Sequence, residues 1–175
     1  MTREHRFSWP VRRLALLGLA GVAVFGAAII ALHLTGSGVD WTSDYVSDLA
    51  NQPFGWLFMV GAFVHGWGNL ALTLALRGAL RPGPLRTWSV LLFGLAAVGI
   101  LLAALFPIEA PGQAPNLPGQ IHRGAASLAF ALELAALFVF SAAFRRQLDW
   151  RRQRAASLVL SVIAATAVTA FVIAI

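Results

Sequence analysis

The chain contains no cysteine. Disulfides, thiolate metal sites and cysteine nucleophiles are therefore excluded. It also contains no lysine, so all thirteen of its basic side chains are arginines. Acids are scarce, with seven Asp and Glu in 175 residues. Charged residues make up 11% of the chain, against about a quarter in an ordinary soluble domain. Too few polar side chains remain to clothe a soluble core of this size. No glycine-rich dinucleotide fingerprint, phosphate loop or serine elbow occurs, which removes the commonest nucleotide and hydrolase signatures. What is present is apolar: 59% of residues are hydrophobic, and the mean hydropathy is +0.77. These values describe an integral membrane protein, with residues 1–175 forming one domain.

A helix needs roughly 20 apolar residues to cross a hydrocarbon core of about 30 Å. Five stretches qualify: 14–34, 56–76, 88–106, 122–144 and 155–175. The first is longer than the roughly 7–15 apolar residues of a signal peptide, so it reads as a span. Backbone groups in lipid must be satisfied within the segment, and the alternation of a β-barrel is absent. The fold class predicted is all-α, a polytopic transmembrane helical bundle of five spans. Gly36, Gly38, Pro53 and Gly55 mark the first connection, Pro82, Gly83 and Pro84 the second, and Pro107, Pro111, Pro115 and Pro118 the third.

The arginines alternate with the spans. Arg3, Arg6, Arg12 and Arg13 precede the first. Arg77, Arg81 and Arg86 lie between the second and third. Arg145, Arg146, Arg151, Arg152 and Arg154 lie between the fourth and fifth. All fall on one side, and only Arg123 stands opposite. The positive-inside rule then predicts a cytoplasmic N-terminus. Trp56 and Trp88 sit at span ends, where interfacial aromatics belong. The net charge of +6 is thus read as a topology signal and a contact for anionic membrane lipids, and not as a nucleic-acid surface. The Arg-only, Ala- and Leu-rich composition suggests a bacterial plasma (inner) membrane.

The acids gather where the arginines are not. Asp40, Asp44 and Asp48 are spaced i, i+4, i+8, and Trp41, Tyr45 and Leu49 repeat that spacing one position on. This predicts a short interfacial helix in the first outer loop, with Ser43 at its start and Pro53 beyond its end. Such a segment either offers Asp44, Ser47 or Asp48 to a site or is a solvated acidic face. Glu109 in the third connection, and His33 and His122 at span ends, share that outer side. Carboxylates and imidazoles together bind zinc or another divalent ion, or act as acid and base. No HxxxH or HExxH pair occurs, so any metal site would be assembled from separate helices.

Two ionisable residues lie deeper. His65 is nine residues into the second span, about 13 Å down, and Glu133 is eleven residues beyond His122, about 16 Å down. His65, Asn69 and Thr73 form a polar stripe at helical spacing. A charged group at mid-bilayer costs several kcal/mol and normally faces the bundle interior with a partner. The expectation is that His65 and Asn69 face Glu133 across the bundle. They would line a polar cavity running in from His122, or make a structural interhelical hydrogen bond. The glycines of the second and third spans are read as packing positions.

"SDYVSDLA" after the first span, "FPIE" closing the third and "IHRGAA" opening the fourth resemble the polytopic membrane family known as domain of unknown function 998. The resemblance covers most of the chain. It implies a Ser–acid pair in the outer loop, matched by Ser47 and Asp48, an acid after Phe-Pro, matched by Glu109, and a His opening the next span, matched by His122. It thereby implies that these places meet at one outer site. Family members generally have six spans. The five here imply a bundle completed by a sixth span or by another copy, as in a homo-oligomer. A looser similarity is to membrane hydrolases of the alkaline ceramidase and adiponectin-receptor type, which gather Ser, Asp and His around zinc.

Three functions remain open from sequence. The first is a hydrolase-like enzyme acting on a lipid or other apolar substrate. In it Ser47, Asp48, Glu109 and His122 would be catalytic, and Asp48, Glu109 and His122 would be the metal ligands. The second is a binding or transport module for a small solute, proton or lipid, using His65, Asn69 and Glu133. The third is a structural or assembly subunit.

Overall fold

A computed structural model describes residues 8–36, 38–40, 42–150 and 152–174. Arg3, Arg6, Trp41, Arg151 and Ile175, used above, lie outside the described residues. Five long helices follow one another: α1 Trp9–Leu34, α2 Trp56–Ala79, α3 Pro84–Leu105, α4 Leu117–Arg145 and α5 Gln153–Ala174. All five are long and apolar enough to cross a membrane. The described residues contain no strand.

The helix ends have local causes. Pro10, Pro84 and Pro118 occupy first-turn positions, where a missing N–H costs nothing. Asn116 caps α4, its side chain accepting from Gly119 N at 2.8 Å. Phe106, which precedes Pro107, is extended (φ −110°, ψ 108°), and α3 stops there. α3 and α4 begin earlier than apolar content alone indicates, because Pro84 and Leu117 are helical before the hydrophobic run is established.

Each helix packs chiefly on its neighbours in the chain. Small residues set the approach. A Cβ on Gly68 of α2 would lie 3.0 Å from Gly21 Cα of α1, and one on Gly99 of α3 would lie 2.9 Å from Ala129 Cβ of α4. Two apolar clusters fill the ends. Leu80, Phe93, Ala136, Phe140 and Phe144 pack at the arginine-rich end. Leu32, Leu49 and Phe58 pack at the other. α5 is held to α4 by hydroxyls as well: Ser141 Oγ lies 2.7 Å from Ser157 Oγ and 3.4 Å from Ser161 Oγ. Leu16, Leu19, Ile30, Leu95, Leu160 and Ile163 are exposed, as lipid-facing side chains are.

The first connection is less helical than the acid spacing suggests. Its helical element among the described residues is a short 3-10 helix, Val46–Asn51. Asp40 instead accepts from Thr42 N at 2.7 Å and from Thr42 Oγ1, while Asp44 Oδ2 accepts from Asp40 N at 2.9 Å. Short acidic side chains that bond nearby backbone compete with a helix. Asp40, Asp44 and Asp48 therefore do not share one helical face, and Tyr45, not Ser43, precedes the helix.

Candidate functional site

Two groups of polar side chains stand apart. The first group begins with the 3-10 helix, which Leu49 anchors: it is fully buried against Leu32 and Phe58. Asn51 at its end donates to Glu109 O at 3.3 Å, tying the first connection to the third. Asp48, on the same helix, has its carboxyl pushed up by burial and, less, by Asp44; a hydrogen bond from the Tyr45 backbone draws it back, and His122 does so more weakly. His122 is 5% exposed. Its Nδ1 lies 2.8 Å from Ala103 O and 2.9 Å from Phe106 O, so Nδ1–H donates to carbonyls that α3 leaves unpaired at its end. That assignment leaves Nε2 as the acceptor nitrogen.

Glu109 is already engaged. Its side chain, 8% exposed, accepts from Arg123 Nη1 at 2.5 Å and lies directly over Gly119 in the first turn of α4. The Arg123 hydrogen bond holds the Glu109 carboxyl below its ordinary value. Charge patterning alone treats Arg123 as the arginine out of place; its position next to His122 was the available sign of this partnership.

Asp48, Glu109 and His122 thus border one region at the end of the bundle away from most arginines, and each acid weakly feels the imidazole. They do not make a metal cage. Among the described residues, no three His, Asp or Glu side chains are grouped to hold an ion. Glu109 Oε1 is taken by the Arg123 guanidinium, whereas His122, with Nδ1 on carbonyls, keeps Nε2 open. No hydrogen bond joins Ser47 to His122 among the described residues.

The deeper group spans α2 and α4. Asn69 is 1% exposed. Its Nδ2 lies 3.5 Å from Glu133 Oε1 and 3.5 Å from His65 Nε2, so one amide is shared between an acid and an imidazole on different helices. Thr73 Oγ1 donates to Asn69 O at 2.7 Å and completes the stripe. Phe25 of α1 stacks on His65, with centroids 5.2 Å apart and planes at 14°. His65 Nδ1 is buried and makes no hydrogen bond. His65 and Glu133 are themselves only half-buried. Phe25 was not foreseen, because an aromatic on an apolar span carries no distinguishing pattern.

Two hollows lie away from both groups, one lined by Phe138, Val162, Ala165, Thr166, Thr169 and Ala170, the other by Leu85, Ala142, Arg145 and Arg146.

The sequence model of a family described as protein of unknown function (DUF998) matches residues 19–175. The chain belongs to this family. The DUF998 match begins inside α1 and takes in the 3-10 helix, both polar groups and all of α2 to α5. No curated protein and no solved structure matches the chain. The likeness to ceramidase-type hydrolases has no support among these comparisons.

Proposed function

We propose that this DUF998 member is a binding module of the membrane interior. It would take the polar end of a membrane-dissolved amphiphile at His65, Asn69 and Glu133. The supporting observation is the incomplete bonding of that group. Asn69 is stretched between two acceptors at 3.5 Å each, at the outer limit of a hydrogen bond. His65 Nδ1 has no partner at all. An unsatisfied polar group at this depth costs several kcal/mol. A ligand whose head both donates and accepts would supply the missing bonds. Half-burial of His65 and Glu133, each on a membrane-length helix, favours entry sideways from the lipid.

The test is what co-purifies. Wild type extracted from its own membrane should carry an amphiphile in near-stoichiometric amount, and Glu133→Gln should lose most of it at unchanged melting temperature. Equal retention with a changed melting temperature or association state would make the group a structural pin instead.

A second reading keeps acid–base chemistry at the outer end. It is favoured by Asp48, whose raised carboxyl lies in the field of a fixed imidazole. Asp48 would serve as the acid and His122 Nε2 would accept a proton from water, acting on a lipid of the outer leaflet. On both readings the arginine-rich end faces the cytoplasm of a plasma membrane, a placement supported by charge asymmetry alone.

A further inference from the structure

The other polar feature lies at the opposite end. α4 closes on Arg145, and Arg146 follows as its C-cap residue. Both side chains are exposed. Neither is paired with a carboxylate among the described side chains. Other arginines are engaged within the chain: Arg123 with Glu109, Arg86 Nη1 with Arg77 O at 3.4 Å, and Arg13 over the Trp9 ring at 4.3 Å. One cation near a helix C-terminus is explained by the helix dipole. Two side by side, opposite a neighbouring helix, exceed that need.

Arg145 and Arg146 share a hollow of about 460 Å³ with Leu85 of α3 and Ala142 of α4. Sites for small ligands run from roughly 300 to 1,000 Å³. One wall is cationic and the other aliphatic. Trp88, one turn along α3 from Leu85, is 58% exposed, and Leu148 beyond Arg146 is 68% exposed. An exposed Trp at a span end marks the headgroup level.

We infer that this hollow binds the phosphate of an anionic phospholipid. The two guanidinium forks take the phosphodiester oxygens, and Leu85 and Ala142 lie along the start of the acyl chains. A soluble phosphate shares the charge but cannot use the aliphatic wall.

The experiment is native mass spectrometry of the full chain with phosphatidylglycerol, phosphatidylcholine or inorganic phosphate as probe. Wild type should retain phosphatidylglycerol over phosphatidylcholine. Arg145→Gln with Arg146→Gln should weaken that retention about fivefold or more, while Arg12→Gln with Arg13→Gln should leave it unchanged. If the Gln pair fails to fold, Arg145→Lys with Arg146→Lys decides: it keeps the charge, loses the forks and should weaken retention partially. Equal losses from both arginine pairs would mean a diffuse field and would overturn the site, as would no loss from either substitution at Arg145 and Arg146. Inorganic phosphate should leave the lipid bound. Displacement by millimolar phosphate would assign the hollow to a soluble anion and refute the lipid.

Discussion

At the scale of single residues, one proton acceptor can be tested against pH. Arg123 holds the Glu109 carboxyl below its ordinary value of 4.5. A carboxyl lowered in the folded state stabilises the protein above its unfolded value, and that gain is lost as pH falls through the folded value. Glu109→Gln should therefore melt lower than wild type at neutral pH, with the gap closing below about pH 4.5. Thermal melts across pH check this, and a gap constant down to pH 3 would contradict it. Asp48 has the opposite sign, because burial raises its carboxyl. Its ionisation works against folding at neutral pH, so Asp48→Asn should melt at the same or higher temperature there. His122 holds two carbonyls at the end of α3. His122→Phe should destabilise by about 1–3 kcal/mol, since it leaves buried acceptors unpaired, as read by denaturant titration in mild detergent.

At the scale of elements, the close approach of α1 and α2 depends on Gly21 and Gly68, whose nearest neighbours are mutual backbone atoms at 3.0 Å. Backbone cannot swing aside as a flexible side chain can. Gly68→Val should therefore cost about 1–3 kcal/mol or more through overpacking. Gly94, whose nearest neighbour is Thr73 Cγ2 at 3.5 Å, should accept Ala at little cost. Melting temperatures of the two variants make the comparison. The five spans were legible because membrane crossing demands long apolar runs, and that demand overrides subtler signals. Their true starts were less legible at Pro84 and Leu117, where proline geometry, and not hydropathy, sets the first turn. The 3-10 helix differs in kind from what the acid spacing predicts because Asp40 and Asp44 bond backbone locally, which periodicity cannot register. The meeting of Asn69 with Glu133 was foreseeable from depth and helical spacing. The Glu109–Arg123 pair was not, because it joins a proline-rich loop to a helix, and loop paths leave no periodic trace.

At the scale of the whole molecule, the chain is a run of helices, each leaning on the next. Asp40, Asp44, Asp48 and Glu109 lie toward one end and most arginines toward the other, and one half-satisfied polar group lies between them. The orientation is open to a clean test, since the chain has no cysteine of its own. A single cysteine at Thr42 should react with a membrane-impermeant maleimide on intact cells, and one at Gly83 should react only after lysis. The reverse pattern would invert the topology. The account depends most on the His65 nitrogen that makes no bond. The measurement that reaches it is the ¹⁵N spectrum of histidine-labelled protein in bilayers, recorded as extracted from its own membrane and again after exhaustive delipidation. The account predicts that the His65 Nδ1 resonance shifts when the amphiphile is removed, and that Glu133→Gln already shows the delipidated position. An Nδ1 resonance identical in all three samples would contradict it.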